Sequence, residues 1–100
     1  MKVIIQPQAQ DNLVEIGVYI GRDNPRRADS FVDEIRARCH SLGDMPRAYP
    51  LVPRHESTGI RRCPFRDYLI FYRVTAEAVE VIHILHGARD IDVLLFPDDG

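Results

Sequence analysis

Residues 68–86 read YLIFYRV-TAEA-VEVIHILH, two apolar, β-branched runs joined by a four-residue connection. The spacing predicts a hairpin between residues 68–74 and 79–86. With Val74 opposite Val79, Tyr72 meets Val81, Ile70 meets His83 and Tyr68 meets Leu85 on one face. The other face pairs Arg73 with Glu80, Phe71 with Ile82 and Leu69 with Ile84. The Arg73–Glu80 pair supports this register. Both faces are apolar, whereas a half-exposed antiparallel strand alternates apolar with polar. Helices can cover one face. The other is covered either by loop 44–58 and the tail, or by a partner segment on a surface left bare.

Working outward, residues 2–6 form a short β-prone run ended by Pro7. Ala9, Leu13, Ile16 and Ile20 then recur at helical spacing, flanked by Val14 and Val18, up to Gly21. Asn24-Pro25 restarts the chain as N-cap and first helical residue. Ala28, Phe31, Val32, Ile35, Cys39 and Leu42 make one stripe, which Gly43 and Pro46 terminate. The short link at residues 22–24 folds the two helices into an antiparallel hairpin. Residues 45–53, with three prolines, read as an extended loop, and residues 56–59 as a turn. Residues 59–63 read as a short strand stopped by Pro64, and residues 91–96 as one helical turn. The expected fold class is α+β.

One hundred residues amount to one domain's worth of chain, 1–100, able to bury a core without disulfide or metal. Hydrophobic residues at 45% and charged residues at 28% exclude a disordered or low-complexity chain. The longest apolar run, residues 68–72, excludes a membrane helix, and the apolar start is too short for a signal peptide. Cytoplasm is the expected location. Cys39 and Cys63 read as two reduced, packed thiols, with a single disulfide as the alternative. The net charge of −2 argues against a dedicated duplex-DNA binder. It hides an asymmetry. Residues 51–74 carry five Arg against two acids (+3), and residues 75–100 carry one Arg against six acids (−5).

Chemistry has few footholds. His83 and His86 lie three apart on a strand, which sends them to opposite faces. No Cys/His spacing suits a metal, and no glycine loop or nucleophile elbow occurs. No cofactor is expected. The remaining constellation is Arg61, Arg62, Arg66 and Arg73 with Tyr68, Tyr72, His83, His86 and Arg89. It would suit an acidic peptide or single-stranded RNA, and either histidine could serve as a general acid or base. Packed histidines and a solvated arginine surface are the plainer readings.

The ordered set Ala9-x-x-x-Leu13-x-x-Ile16-x-x-Tyr19-Ile20, Asn24-Pro25-x-x-Ala28-x-x-Phe31, Leu42-x-x-x-Pro46, Arg61-Arg62, Tyr68-x-Ile70-x-Tyr72-Arg73-Val74 and Ile84-Leu85-His86-Gly87-Ala88-Arg89-Asp90 resembles toxins of the RelE/ParE superfamily, and within it the ParE branch. The resemblance implies an N-terminal strand and an antiparallel helical hairpin on a curved antiparallel sheet of about three further strands. It implies a toxin of a bacterial type II toxin–antitoxin module, of the kind that serves plasmid stabilization. Such a toxin forms a hetero-oligomer with a cognate ParD-like antitoxin. ParE-type members inhibit DNA gyrase by direct binding. RelE-type relatives cleave mRNA on the ribosome, which here would draw on Arg61, Arg73, His83, His86 and Arg89. After Arg89, however, the chain offers acids and no Tyr or His, which favours the gyrase branch; an inactive, binding-only member is a further alternative. For antitoxin or target binding the expected residues are Arg61, Arg62, Arg66, Tyr68, Tyr72, Arg73 and Arg89, with Leu94 and Phe96 of the apolar tail.

Overall fold

The N-terminal strand runs parallel to the last one. The computed structural model describes residues 1–89 and 91–96. The elements are β1 (Lys2–Ile5), α1 (Pro7–Gly21), α2 (Pro25–Ser41), a 3-10 turn (Glu56–Thr58), β2 (Ile60–Phe65), β3 (Tyr68–Val74), β4 (Ala78–His86) and α3 (Ile91–Leu95). The sheet order is β1-β4-β3-β2, so the sheet is mixed and not purely antiparallel. α1 connects β1 to the rest of the chain as a crossover, which is what a parallel edge strand requires.

Local chemistry accounts for the hairpin of helices. Pro7 and Pro25 each occupy a first turn, and Asn24 Oδ1 accepts the Arg27 N–H at 3.0 Å. The apolar stripes of both helices close on one sheet face. There Leu13, Ile35, Cys39, Leu42, Cys63, Ile70, Tyr72, Val79, Val81 and Ile84 are all at most 1% exposed. Both cysteines are free thiols, and burial pushes Cys39 up to about 12. Gly43 lets the chain pass against β1: a Cβ there would lie 2.3 Å from the Met1 carbonyl, whose own residue's amino group donates to Gly43 O at 3.0 Å.

The hairpin register holds for Val74–Val79, Arg73–Glu80 and Tyr72–Val81, then changes. Phe71 pairs with His83, Ile70 with Ile84, Leu69 with Leu85 and Tyr68 with His86, leaving Ile82 as a bulge. Strict alternation would put His83 on the same face as Val79 and Val81. The extra residue instead turns Ile84 into the helix-side core and His83 to the far face. His83 and His86 still face opposite ways, as their spacing requires.

The far face is covered by the chain itself. Val52, Phe71 and Leu85 are buried there, with Ile60, Leu69, Ile82, Ile91, Leu95 and Phe96 packed against them. Loop and tail are therefore the cover, and no partner segment is needed at this place. β2 runs through Pro64 to Phe65, and its outer edge is occupied: Val52 N–H donates to Ile60 O at 2.9 Å and Arg62 N–H to Pro50 O at 3.0 Å. The proline is tolerated because that edge needs no further donor at position 64. Asp90 and the acids of residues 97–100 lie outside the described residues.

Candidate interaction surface

The arginines expected to act together are dispersed by the strand alternation. Arg61 points to the helix side and donates to Tyr49 O at 2.7 Å, while the Tyr72 hydroxyl donates to Pro46 O at 2.9 Å. Together they fasten the loop after α2 to the sheet. Tyr72 is 0% exposed and so contacts no partner, contrary to its expected role. Arg62 is half-buried opposite Phe71, and exposed Arg73 pairs with Glu80 at 3.0 Å. Of the residues a nuclease would need, Arg61 and His86 lie on the helix side, and Arg73 and His83 on the other.

A second group forms where α2 meets the β2–β3 turn. Arg66 occupies that two-residue turn at φ 52, an uncommon conformation for a side-chain-bearing residue. Its guanidinium reaches Glu34 at 3.6 Å, and Glu34 also pairs with Arg27. The hydrogen bond from Arg27 chiefly holds the Glu34 carboxyl below its usual range. Arg27 sits 5.0 Å from the Phe31 ring centre, and Arg38 and Arg66 lie 5.3 and 5.8 Å from that of Phe65. Phe31 touches Tyr68 at 5.7 Å, and Tyr68 meets His86 edge-on at 5.2 Å. An arginine–aromatic strip thus leads from α2 to the end of β4.

That strip ends in an open groove of about 380 Å³ between α1 and β4, lined by Asn12, Glu15, Ile16, Tyr19, Tyr68, Ile84, Leu85, His86 and Arg89. Burial chiefly pushes the Tyr68 hydroxyl above its ordinary range, helped by Tyr19 and Asp67. Asn12, 5% exposed, is the residue the helical pattern did not single out. β1 ends opposite Val81, and among the described residues β4 continues without a neighbouring strand on that side. Asn12 Oδ1 accepts the stranded Ile84 N–H at 3.0 Å. A polar residue inside an apolar stripe was the available signal. Asn12→Ala leaves that N–H buried and unpaired and should cost about 1–3 kcal/mol in urea melts, while unchanged stability would mean water replaces the side chain freely.

On the far face, Phe96 stacks on His55 at 3.8 Å with the rings 8° apart, and Asp92 Oδ1 lies 3.3 Å from His55 Nε2. Arg54 adds a 3.6 Å contact to Asp92. α3 is thereby pinned, while Leu94 (40% exposed) and Val93 (62% exposed) face outward. His83 Nδ1 is buried without a hydrogen-bond partner among the described residues, and burial lowers its pKa from the usual 6.5. The folded chain keeps this ring neutral where the unfolded chain takes a proton, so stability falls as pH drops below about 6.5. His83→Leu should flatten the fall in Tm between about pH 7 and pH 5. A variant with the wild-type slope would place the titration elsewhere.

Among the described residues no three His, Cys, Asp or Glu side chains gather as a metal site, and no helix is long and apolar enough to cross a membrane. Residues 3–91 match the family model described as the ParE toxin of the type II toxin–antitoxin system parDE. No curated protein matches the chain by sequence. Among solved structures, a chain of the chromosomal ParDE TA system from P. aeruginosa is similar at TM-score 0.73 and 17% identity, covering 86% of this chain and 95% of that one. A chain of the toxin–antitoxin complex RelBE2 from Mycobacterium tuberculosis is similar at TM-score 0.58 and 19% identity, covering 85% and 95%. At these identities the structures speak for the fold.

Proposed function

Since this chain belongs to the ParE toxin family of type II toxin–antitoxin systems, we propose that it inhibits DNA gyrase by direct protein binding and is neutralised by a ParD-like antitoxin in the bacterial cytoplasm. The observation that carries the reading is the division of the basic and histidine residues between the two sheet faces. A phosphodiester-cleaving site needs its acid, base and charge-stabilising groups within hydrogen-bond reach of one substrate. Here Arg73 is engaged by Glu80, Arg61 by a backbone carbonyl, and the far face is apolar and covered by α3. The surface left for a target is protein-like: outward Val93 and Leu94 on a pinned helix.

One observation favours a second reading. Tyr68, His86 and Arg89 do share a groove with Glu15, and a ribosome-dependent endonuclease would use such a set. Induced expression in bacteria separates the two. Filamentation with DNA-damage signalling, suppressed by the antitoxin encoded beside the toxin, is the expected result. Rapid translation arrest with cleaved mRNA would replace the gyrase reading with the second one.

A further inference from the structure

We propose that the solvent-facing stripe of α1 pairs with the same stripe of a second copy of this chain, the two helices running antiparallel. The stripe is Asp11, Val14, Val18 and Arg22, at spacings of three, four and four, with Arg22 as the capping residue after the last turn. By the 3.6-residue period it lies opposite Ala9, Leu13, Ile16 and Ile20, which pack into the core. Polar side chains belong on that outer line. Val14 and Val18 stand there instead, 65% and 57% exposed. Single exposed apolar residues are ordinary. Two β-branched ones, one turn apart on the line opposite the core, lower the helix's intrinsic propensity and receive little packing from their own chain. A cover from outside supplies that packing.

Charge selects the occupant. The stripe is acidic at one end, apolar in the middle and basic at the other. It therefore complements its own reverse, which is what a two-fold contact requires. An unrelated partner places no such constraint on the order of the four residues. With Val14 set opposite Val18 of the second copy, Asp11 comes opposite Gly21, which has no side chain to obstruct the neighbouring Arg22. That arginine is one residue, about 1.5 Å, out of step, well within reach of its side chain. By symmetry the contact occurs twice. Asp11 and Arg22 are both exposed, and neither side chain has an ion pair or hydrogen bond among the described residues. Glu15, the next acid along α1, lines the groove toward β4, beside the stripe and not on it. A helix of 15 residues is about 22 Å long, so the pairing falls in the small, reversible class of interfaces. α3 packs on the opposite face of the sheet from both helices, so a pair displays Val93 and Leu94 outward twice.

The test is sedimentation equilibrium of the full chain without antitoxin. Its mass should rise from 11.5 kDa toward twice that value as concentration increases. Asp11→Arg and Arg22→Asp each set like charges against each other and should weaken self-association at least about tenfold. The two substitutions together restore opposite charges in reversed order and should return it to within about threefold of wild type. Val18→Glu should leave a monomer, with the wild-type Tm at a dilution where the wild type is itself monomeric. Val18→Gln repeats the test without the added charge and should weaken the dimer in the same direction. A wild-type chain that stays monomeric up to about 0.5 mM overturns the proposal. So does a dimer that both Val18 variants leave intact, whether or not toxicity is lost. Single charge swaps that weaken the dimer without recovery in the double variant overturn it as well, because antiparallel self-pairing requires the recovery. None of these outcomes depends on what the toxin inhibits.

Discussion

Ile35→Ala is expected to unfold with about 2–5 kcal/mol less stability than the wild type. Ile35 is 0% exposed at the centre of the α2 stripe, within the cluster that joins both helices to β3 and β4. Truncation to Ala removes buried carbons and leaves a space that its neighbours refill only in part. Leu13, Cys39 and Ile70, packed in the same cluster, are held by helices and strands whose backbone positions are fixed by their own hydrogen bonds. For a chain of this length, each kcal/mol lowers Tm by roughly 4–8 °C, so the shift should exceed about 8 °C. Urea titration followed by circular dichroism gives the free energy directly. A variant as stable as wild type would mean that the helical hairpin does not carry the core.

Removing residues 93–100 should have the next largest effect, on stability and on toxicity together. Leu95 and Phe96 pack over Phe71 and Leu85, and Phe96 stacks on His55. Full burial of one such side chain contributes about 1.5–3 kcal/mol, so two half-buried ones together contribute about as much as one. Loss of toxicity in this truncation does not by itself locate a target surface, because the exposed far face also destabilises the chain. Leu94→Asp separates the effects. Leu94 is 40% exposed and faces outward, so Tm should hold while inhibition of gyrase falls. If stability and inhibition fall in step in Leu94→Asp as well, α3 is a cover for the sheet and no target surface.

The helices were the most legible part of the chain. Asn24-Pro25 and the spacing from Ala28 to Leu42 define α2 almost residue by residue, because capping chemistry and a 3.6-residue period are local properties. The hairpin was legible as far as Tyr72–Val81. Beyond it the bulge at Ile82 depends on which of His83 and Ile84 the helices accept, a tertiary choice that alternation cannot express. The parallel pairing of β1 with β4 joins residues 76 positions apart, such as Lys2 with Ala78, and no local signal marks it.

The site was legible in composition and not in arrangement. Tyr68, Arg66 and Arg89 do reach one continuous strip and groove, but Tyr72 turns out to be core and Arg61 a loop fastening. Nothing in the sequence around Glu34 marks it as the acid that gathers Arg27 and Arg66. His55 looked like a loop residue, yet it is 8% exposed beneath Phe96. In each case the deciding contact crosses from one element to another, so only the folded chain displays it.

The central claim is that the chain acts on gyrase by binding. The most direct measurement adds purified toxin to gyrase, relaxed plasmid and ATP and follows supercoiling, with a parallel ribosome assay for mRNA cleavage. The account predicts dose-dependent loss of supercoiling, relief by equimolar antitoxin, and intact mRNA. Normal supercoiling at a large excess of toxin, with cleaved mRNA on the ribosome, would contradict it.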